Sequence, residues 1–309
     1  MEYIKATIKP LSPFGTEPMS DTLFGQLVWI LSDMGENISD FLKDYDTNPF
    51  LVVSDFLPNN CGISPKIPVK YKLEESKEIK LAKILERKKI KSKNRIYIDS
   101  IYKESDLNTE KIINLSENIN AYKNSEIIRC SIDRRTGTTG QGFDPYSIIE
   151  YVYYGEITFS FYFYVSKEEH IDIIKTALEI MGKIGFGKDA SLGRGQFNVE
   201  NYEEVRFSNK GKNSIYTLGN CALEDLQTEG NEYYEIFTKY GKHGNIRSVE
   251  GNPFKNPVVM ARQGALFVNI SNKLFEKPYI GKALTNLSYY KDTVQQGYSL
   301  YVPVSVEVQ

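Results

Sequence analysis

The sequence predicts an α+β fold built on antiparallel strands, and three observations bear on it. Along GEITFSFYFYV, Ile157, Phe159, Phe161, Phe163 and Val165 share one face, while Thr158, Ser160, Tyr162 and Tyr164 share the other. That period of two belongs to an antiparallel strand with a core side and an amphipathic side. Two stretches instead keep helical spacing: Leu23, Leu27, Ile30 and Met34, then Ile171, Ile174, Leu178 and Met181. Finally, 309 residues with 41% hydrophobic and 25% charged side chains suffice for one large or two medium globular domains with a real core.

The elements follow in order. YIKATIK (Tyr3 to Lys9) alternates and reads as a strand, and PLSPFGTEP (10 to 18) is a proline- and glycine-bearing loop. A helix starts at Ser20, with Ser20 as N-cap, Asp21 complementing the positive end, Met19 and Phe24 at staple positions, and Gly35 as stop. FLVVSDF (Phe50 to Phe56) is a second strand. Residues from about 57 to 125 read as a basic insertion, opened by Pro58, Gly62, Pro65 and Pro68 and turning lysine-rich at KEIKLAKILERKK. EIIRCSID (Glu126 to Asp133) runs into the glycine-rich turn RRTGTTGQG. After the long aromatic strand, Ser166 and Glu169 form a capping box for the second helix, which Gly182 ends. The loop IGFGKDASLGRGQF (184 to 197) leads into the strand GQFNVENYEEV. Without the insertion the order is β-α-β-β-α-β, the split β-α-β, ferredoxin-like arrangement also used by RNA-recognition domains. From about residue 206 the pattern is mostly strands: SIYTL, YYEIFTKY, NPVVMARQGALFVNI and YSLYVPVSVEV. The reading is therefore two ferredoxin-like (RRM-like) domains, 1–205 carrying the insertion and 206–309 degenerate and strand-rich, with a boundary at NKGKN.

Charge and residue counts narrow the chemistry. Between Lys66 and Arg95 twelve lysines and arginines face four glutamates, a local net of +8 in a chain of formal charge −2. Such a segment is either a solvated loop or an arm that neutralises phosphates. Cys61, Cys130 and Cys221 have no paired spacing, so neither a zinc site nor a disulfide framework is expected. No run of about 18 apolar residues suggests a membrane span, and the first residues lack a signal-peptide apolar block, so a cytoplasmic location is expected.

The loop at 184–197 holds four glycines (185, 187, 193, 195) and two cations, Lys188 and Arg194. Gly185 to Ala190 matches a dinucleotide fingerprint, and Gly182 to Asp189 nearly matches a phosphate-binding P-loop. Both motifs need a preceding strand and a following helix, and here the order is inverted. Asp189 also stands where the P-loop hydroxyl belongs. What remains is glycine's freedom to adopt positive φ and bring successive N–H groups around an anion, with Lys188 and Arg194 beside it.

These residues resemble the RAMP superfamily of CRISPR effector subunits, which carry a glycine-rich G-x-G-x5-G-x-G-hydrophobic loop after the second helix. IKPLSPFGTEPMSDTLFGQLVWIL, IDRRTGT (Ile132 to Thr138), PVVMARQGALF and GKAL are similar to the family of subunit four of the type III-A (Csm) complex. The resemblance spans most of the chain except the basic insertion, and it implies a non-catalytic RNA-binding subunit that caps the complex. Such a subunit grips the 5′ repeat-derived tag of the CRISPR RNA, meets the large polymerase-like subunit, a backbone subunit and target RNA, and needs no cofactor or metal. Carried over by motif, Gly185, Gly187, Lys188, Ser191, Gly193, Arg194 and Gly195 would cradle the tag. Arg134, Arg135 and Thr136, with the loop Ser12, Phe14, Gly15 and Thr16, are further contacts. The insertion would supply a thumb between guide and target nucleotides, or Phe56, Leu57 and their neighbours would bury against an adjacent subunit. Tyr162 and Tyr164 are either base-stacking residues or an ordinary sheet face.

The alternative within the superfamily is a repeat-processing endoribonuclease. Of the two histidines, His170 lies in the first turn of the second helix, whereas His243, in the basic turn KYGKHGNIR, is the candidate general acid–base. Asp21 and Asp33 are explained by their places at the ends of the first helix. A small-molecule nucleotide enzyme is disfavoured by the inverted glycine motifs.

Overall fold

The computed structural model describes residues 1–68, 88–139, 144–153, 155–223, 228, 230–244, 247, 249 and 251–307. Most of the lysine-rich stretch KEIKLAKILERKK lies outside them; residues 88–92 are helical. In chain order come β1 (Glu2–Pro10), α1 (Ser20–Asp33), the short α2 (Ile38–Leu42), β2 (Leu51–Val53) and β3 (Leu57–Pro58). β4 (Cys61–Ile63), β5 (Arg95–Tyr97) and β6 (Ser116–Glu117) form a small sheet, accompanied by α3 (Ile98–Lys103) and α4 (Thr109–Leu115). β7 (Tyr122–Arg129) and β8 (Tyr146–Tyr153) form a hairpin, followed by β9 (Phe159–Val165), α5 (Ile171–Ile184) and β10 (Phe197–Arg206).

The first large sheet runs β10-β1-β9-β2, all antiparallel, with β3 also on β9. Leaving out the inserted strands, that is the order fourth-first-third-second expected of a split β-α-β unit. α1 and α5 pack together, and Leu23, Leu27, Ile30, Ile174, Leu178 and Met181 join Phe161 and Phe163 in one buried cluster. The helical stripes read from sequence are therefore the core-facing ones.

After residue 206 come β11 (Ser214–Thr217), β12 (Glu232–Tyr233), β13 (Ile236–Lys239), β14 (Val258–Ala261), β15 (Leu266–Phe267), β16 (Tyr279–Leu284) and β17 (Gln295–Val304). Their sheet runs β12-β15-β11-β17-β16, with β13–β14 a separate ribbon. No α-helix occurs among the described residues after Ile184. β17 is buried along its whole length, lying against α1 and β2. Gln296 makes the join chemical: its side-chain amide accepts from the Val53 N–H at 3.0 Å and donates to the Val53 carbonyl at 2.8 Å. Residues of both halves share the principal core cluster.

Several local expectations are corrected. Tyr162 is 1% exposed and its hydroxyl donates to Asn60 Oδ1 at 2.7 Å, because the loop after β3 and β17 cover the second face of β9. It is a core residue and not a base-stacking one, while Tyr164 leans on Tyr279. The segment 57–125 is not a detached insertion throughout. Phe56, Leu57, Ile96, Ile98, Ile101, Leu107 and Ile112 are buried in this chain's own core. The capping box at Ser166 is absent: Ser166 extends the strand, its N–H donating to the Phe50 carbonyl, and a 3₁₀ turn (Glu168–His170) precedes α5. Of the cysteines, Cys61 and Cys221 are buried and Cys130 is exposed.

Ser20 is the first residue of α1 and not its cap. Met19 holds the cap position in extended conformation, and the capping oxygen is Asp55 Oδ1, which accepts from the Ser20 N–H at 2.7 Å. A capping group so far along the chain is invisible to a local pattern. Part of Asp55 reaches the surface, yet its carboxyl lies within the protein, and burial pushes it from 3.8 up to about 7 against the opposing Ser20 amide. The folded state thus holds a proton between those values that the unfolded chain has released. Stability falls as pH rises across that window, by up to about 1.4 kcal/mol per pH unit, and levels off above it. Asp55→Asn should flatten this dependence in urea unfolding at pH 4.5, 6 and 7.5; an unchanged slope would exclude Asp55 as its source.

Candidate nucleic-acid interface

The glycine loop begins where α5 ends. Gly182 does not stop the helix; a Cβ there would collide with Phe197, and the helix continues over this close contact to Ile184. Gly185, at φ +92°, is the residue that ends it, its N–H donating to the Met181 carbonyl at 2.9 Å. From there the loop interlocks with the segment Ser12–Thr16. Lys188 N–H donates to Thr16 Oγ1 at 2.9 Å, Gly195 N–H to the Pro13 carbonyl at 2.9 Å, and Gln196 N–H to Ser12 Oγ at 2.9 Å. Gln26 of α1 clamps the turn, accepting from Gly187 N–H at 3.0 Å and donating to the Gly185 carbonyl at 2.8 Å. A side chain on Gly15 would strike the Lys188 carbonyl, and one on Gly195, at φ +71°, the Phe186 backbone.

This geometry narrows the open concavity of N–H groups expected from sequence. The amides of Gly185 to Lys188 and Leu192 to Gln196 all donate within the chain. The glycines serve close approach of two loops, and side chains are left to meet a ligand. The Phe14 ring is fully buried among Phe56, Tyr153, Phe159, Phe186 and Phe197, so the ring itself holds the loops together.

Charge is distributed unevenly. Arg194 Nε lies 2.6 Å from Glu150 Oε1, and Arg129 reaches the same oxygen at 3.4 Å and Asp189 Oδ2 at 3.0 Å. Two cations and two carboxylates thus tie β7 and β8 to the glycine loop, and Arg194 is an internal partner first. Lys188 has no ion-pair partner among the described residues, and Ser191 is exposed. At the far end of the hairpin Arg134, Arg135 and Thr136 are exposed. Asp133 accepts from Arg135 N–H at 2.9 Å and pairs with its guanidinium at 3.3 Å, which holds the Asp133 carboxyl below its usual range. Arg134 has no ion-pair partner among the described residues.

The structure therefore joins Ser12, Phe14, Gly15 and Thr16 to Gly185–Gly195, and places Arg134–Thr136 beyond the strand end that carries Arg129. Sequence reasoning passed over Arg129 and Glu150. The available signal was a lone carboxylate inside the apolar run IIEYVYY. Elsewhere, His170 packs edge-on against Phe41, and His243 is buried beside Tyr290. Asp21 pairs with Lys239 at 3.0 Å.

An antiparallel split β-α-β sheet with a glycine-rich link from its second helix to its last strand, extended by a strand-rich second half, defines the class of fold. Solved structures share it over the full chain. A chain of a Csm1–Csm4 cassette bound to AMPPNP matches at TM-score 0.58 and 15% identity, covering 100% of both chains. Another, from the cassette with cA4, gives 0.59 and 13%, again over 100% of both. A Csm3–Csm4 subcomplex of the type III-A CRISPR-Cas interference complex gives 0.56 and 14%, over 98% of this chain and 99% of that one. Csm4 is the component these assemblies have in common, and the fold is Csm4-like. No family model and no curated protein matches the chain.

Proposed function

We propose that this chain is a non-catalytic RNA-binding subunit of a type III-A CRISPR effector complex, gripping the 5′ tag of the CRISPR RNA. The observation that carries the proposal is the full-length Csm4-like fold. In this reading residues 1–205 and 206–309 are two ferredoxin-like units, the second having lost its helices. Lys188, Ser191 and Arg134 are the side chains free to meet phosphates, and Arg194 contributes only its outer edge. The thumb expected from the insertion is assigned instead to the β7–β8 hairpin, whose Ile128 and Ile149 share one face by register and are 77% and 57% exposed. Apolar side chains, isoleucine among them, can wedge between base steps and unstack them. Docking to the large and backbone subunits is supported by exposed Ile236, Val259, Tyr240 and Phe254 on and around the β13–β14 ribbon.

The test is a salt titration of CRISPR RNA binding with intact and scrambled tags. Lys188→Ala combined with Arg134→Ala should weaken intact-tag binding about tenfold or more and reduce the log–log salt slope by about 1.4, two single-strand phosphate contacts' worth. Binding indifferent to both the tag and these substitutions refutes the reading. Repeat cleavage in the same samples that disappears in His243→Ala would replace it with the endoribonuclease alternative.

A further inference from the structure

A cavity of about 220 Å³ opens between α1–α2 and the segment that follows β13, remote in sequence from the glycine loop. Its two walls differ in chemistry. Val28 and Trp29 of α1, with Ile38 and Leu42 of α2, make one wall apolar. The other presents His243, Arg247 and Lys255, with Asp292 beside Arg247.

The cationic wall is short of partners. His243 is 6% exposed, and its Nε2 has no hydrogen-bond partner among the described residues. Lys255 is a largely buried ammonium whose Nζ reaches only Gln295 Oε1, at 3.4 Å, with no carboxylate at ion-pair distance among the described residues. Buried cations are ordinarily paired, and an unmade buried hydrogen bond is costly. Arg247 is by contrast fixed: its Nη2 lies 2.6 Å from Asp292 Oδ2, and its guanidinium sits 4.7 Å from the Tyr290 ring centre and 5.9 Å from that of Trp29. Burial lowers the pKa of both His243 and Lys255, and an anion in the cavity would reverse both shifts.

A bare inorganic anion would satisfy the cationic wall and leave the apolar one wet. A neutral aromatic would do the opposite. We propose that the cavity binds a nucleoside monophosphate unit, its phosphate on Lys255 and His243 and its base along the Trp29 wall, either as a free nucleotide or as one residue of a single-stranded RNA. The site stands apart from the glycine loop and does not depend on the tag-binding reading.

Trp29 is the chain's only tryptophan, so its emission reports occupancy of the cavity directly. The full chain is titrated with AMP, inorganic phosphate, adenosine and a short oligoadenylate RNA. AMP should give a saturable change, with phosphate and adenosine each weaker by about tenfold or more. Lys255→Gln and His243→Leu should each weaken AMP by a similar factor, whereas the charge control Lys210→Gln should not. Both pocket substitutions remove an unsatisfied group, so thermal melts should show them folded. Displacement of AMP by the oligoadenylate assigns the site to an RNA nucleotide, and its absence assigns it to the free ligand. A folded wild-type chain with no saturable response to AMP or RNA overturns the proposal. So does an AMP response that persists in both pocket variants, or phosphate binding as tight as AMP.

Discussion

Glu150→Ala is expected to destabilise the chain by about 2–3 kcal/mol, the cost of leaving the partly covered Arg194 without its anion and Arg129 with Asp189 alone. The Glu150 side chain is 2% exposed, and both Arg129 and Arg194, themselves mostly covered, converge on its Oε1. Removing the carboxylate leaves Arg194 unpaired beside Arg129, which keeps only Asp189. Urea unfolding should show a lower midpoint, and the double variant Glu150→Ala with Arg194→Ala should lose less than the sum of the two single changes. Strict additivity would mean the contact is not energetically coupled. Because this cluster is what ties the hairpin to the glycine loop, the substitution should also loosen the hairpin, seen as faster amide exchange along β7 and β8 without melting of the first sheet.

Phe14→Ala should be as damaging, costing about 3–5 kcal/mol as a large-to-small change in a close-packed aromatic cluster. Its ring centre lies 5.3 Å from Tyr153, 6.1 Å from Phe159 and Phe186, and 6.5 Å from Phe56 and Phe197. One ring thus gathers the Ser12–Thr16 segment, the hairpin through Tyr153, the glycine loop through Phe186, and the flanking strands through Phe159 and Phe197. Phe14→Leu should recover part of the loss by refilling volume. An RNA contact would behave otherwise, losing RNA affinity at undiminished stability, so unfolding and binding measured on the same variant separate the two roles.

The first sheet and both of its helices could be read from the chain because their signals are local. Alternation along Phe159–Val165 and the stripes from Leu23 and Ile174 arise within a few residues of one another. What escaped depends on distant partners. The cap of α1 comes from Asp55, the burial of Tyr162 from β17 and Asn60, and the neutralisation of Arg194 from Glu150. β16 was passed over because YIGKAL carries a glycine at φ +87° and a lysine, which blur its period of two. The glycine loop was found for a sound reason, glycine's access to positive φ. Its use differs, since a sequence cannot tell amides turned toward a ligand from amides turned toward another loop of the same chain. The side chains of Lys188 and Ser191 have no ion-pair or hydrogen-bond partner among the described residues, so the expectation for them rests on sequence alone.

The Gln296 amide that straddles Val53 bears on how this protein could be made in pieces. It acts as a one-residue surrogate strand along the outer edge of β2, satisfying both of Val53's outward polar groups. A fragment stopping near residue 205 would present that edge bare, as a template for any extended chain in solution. Production of the first half alone would therefore favour sticky, self-pairing material, and the C-terminal half guards that edge only once it has been made and has docked.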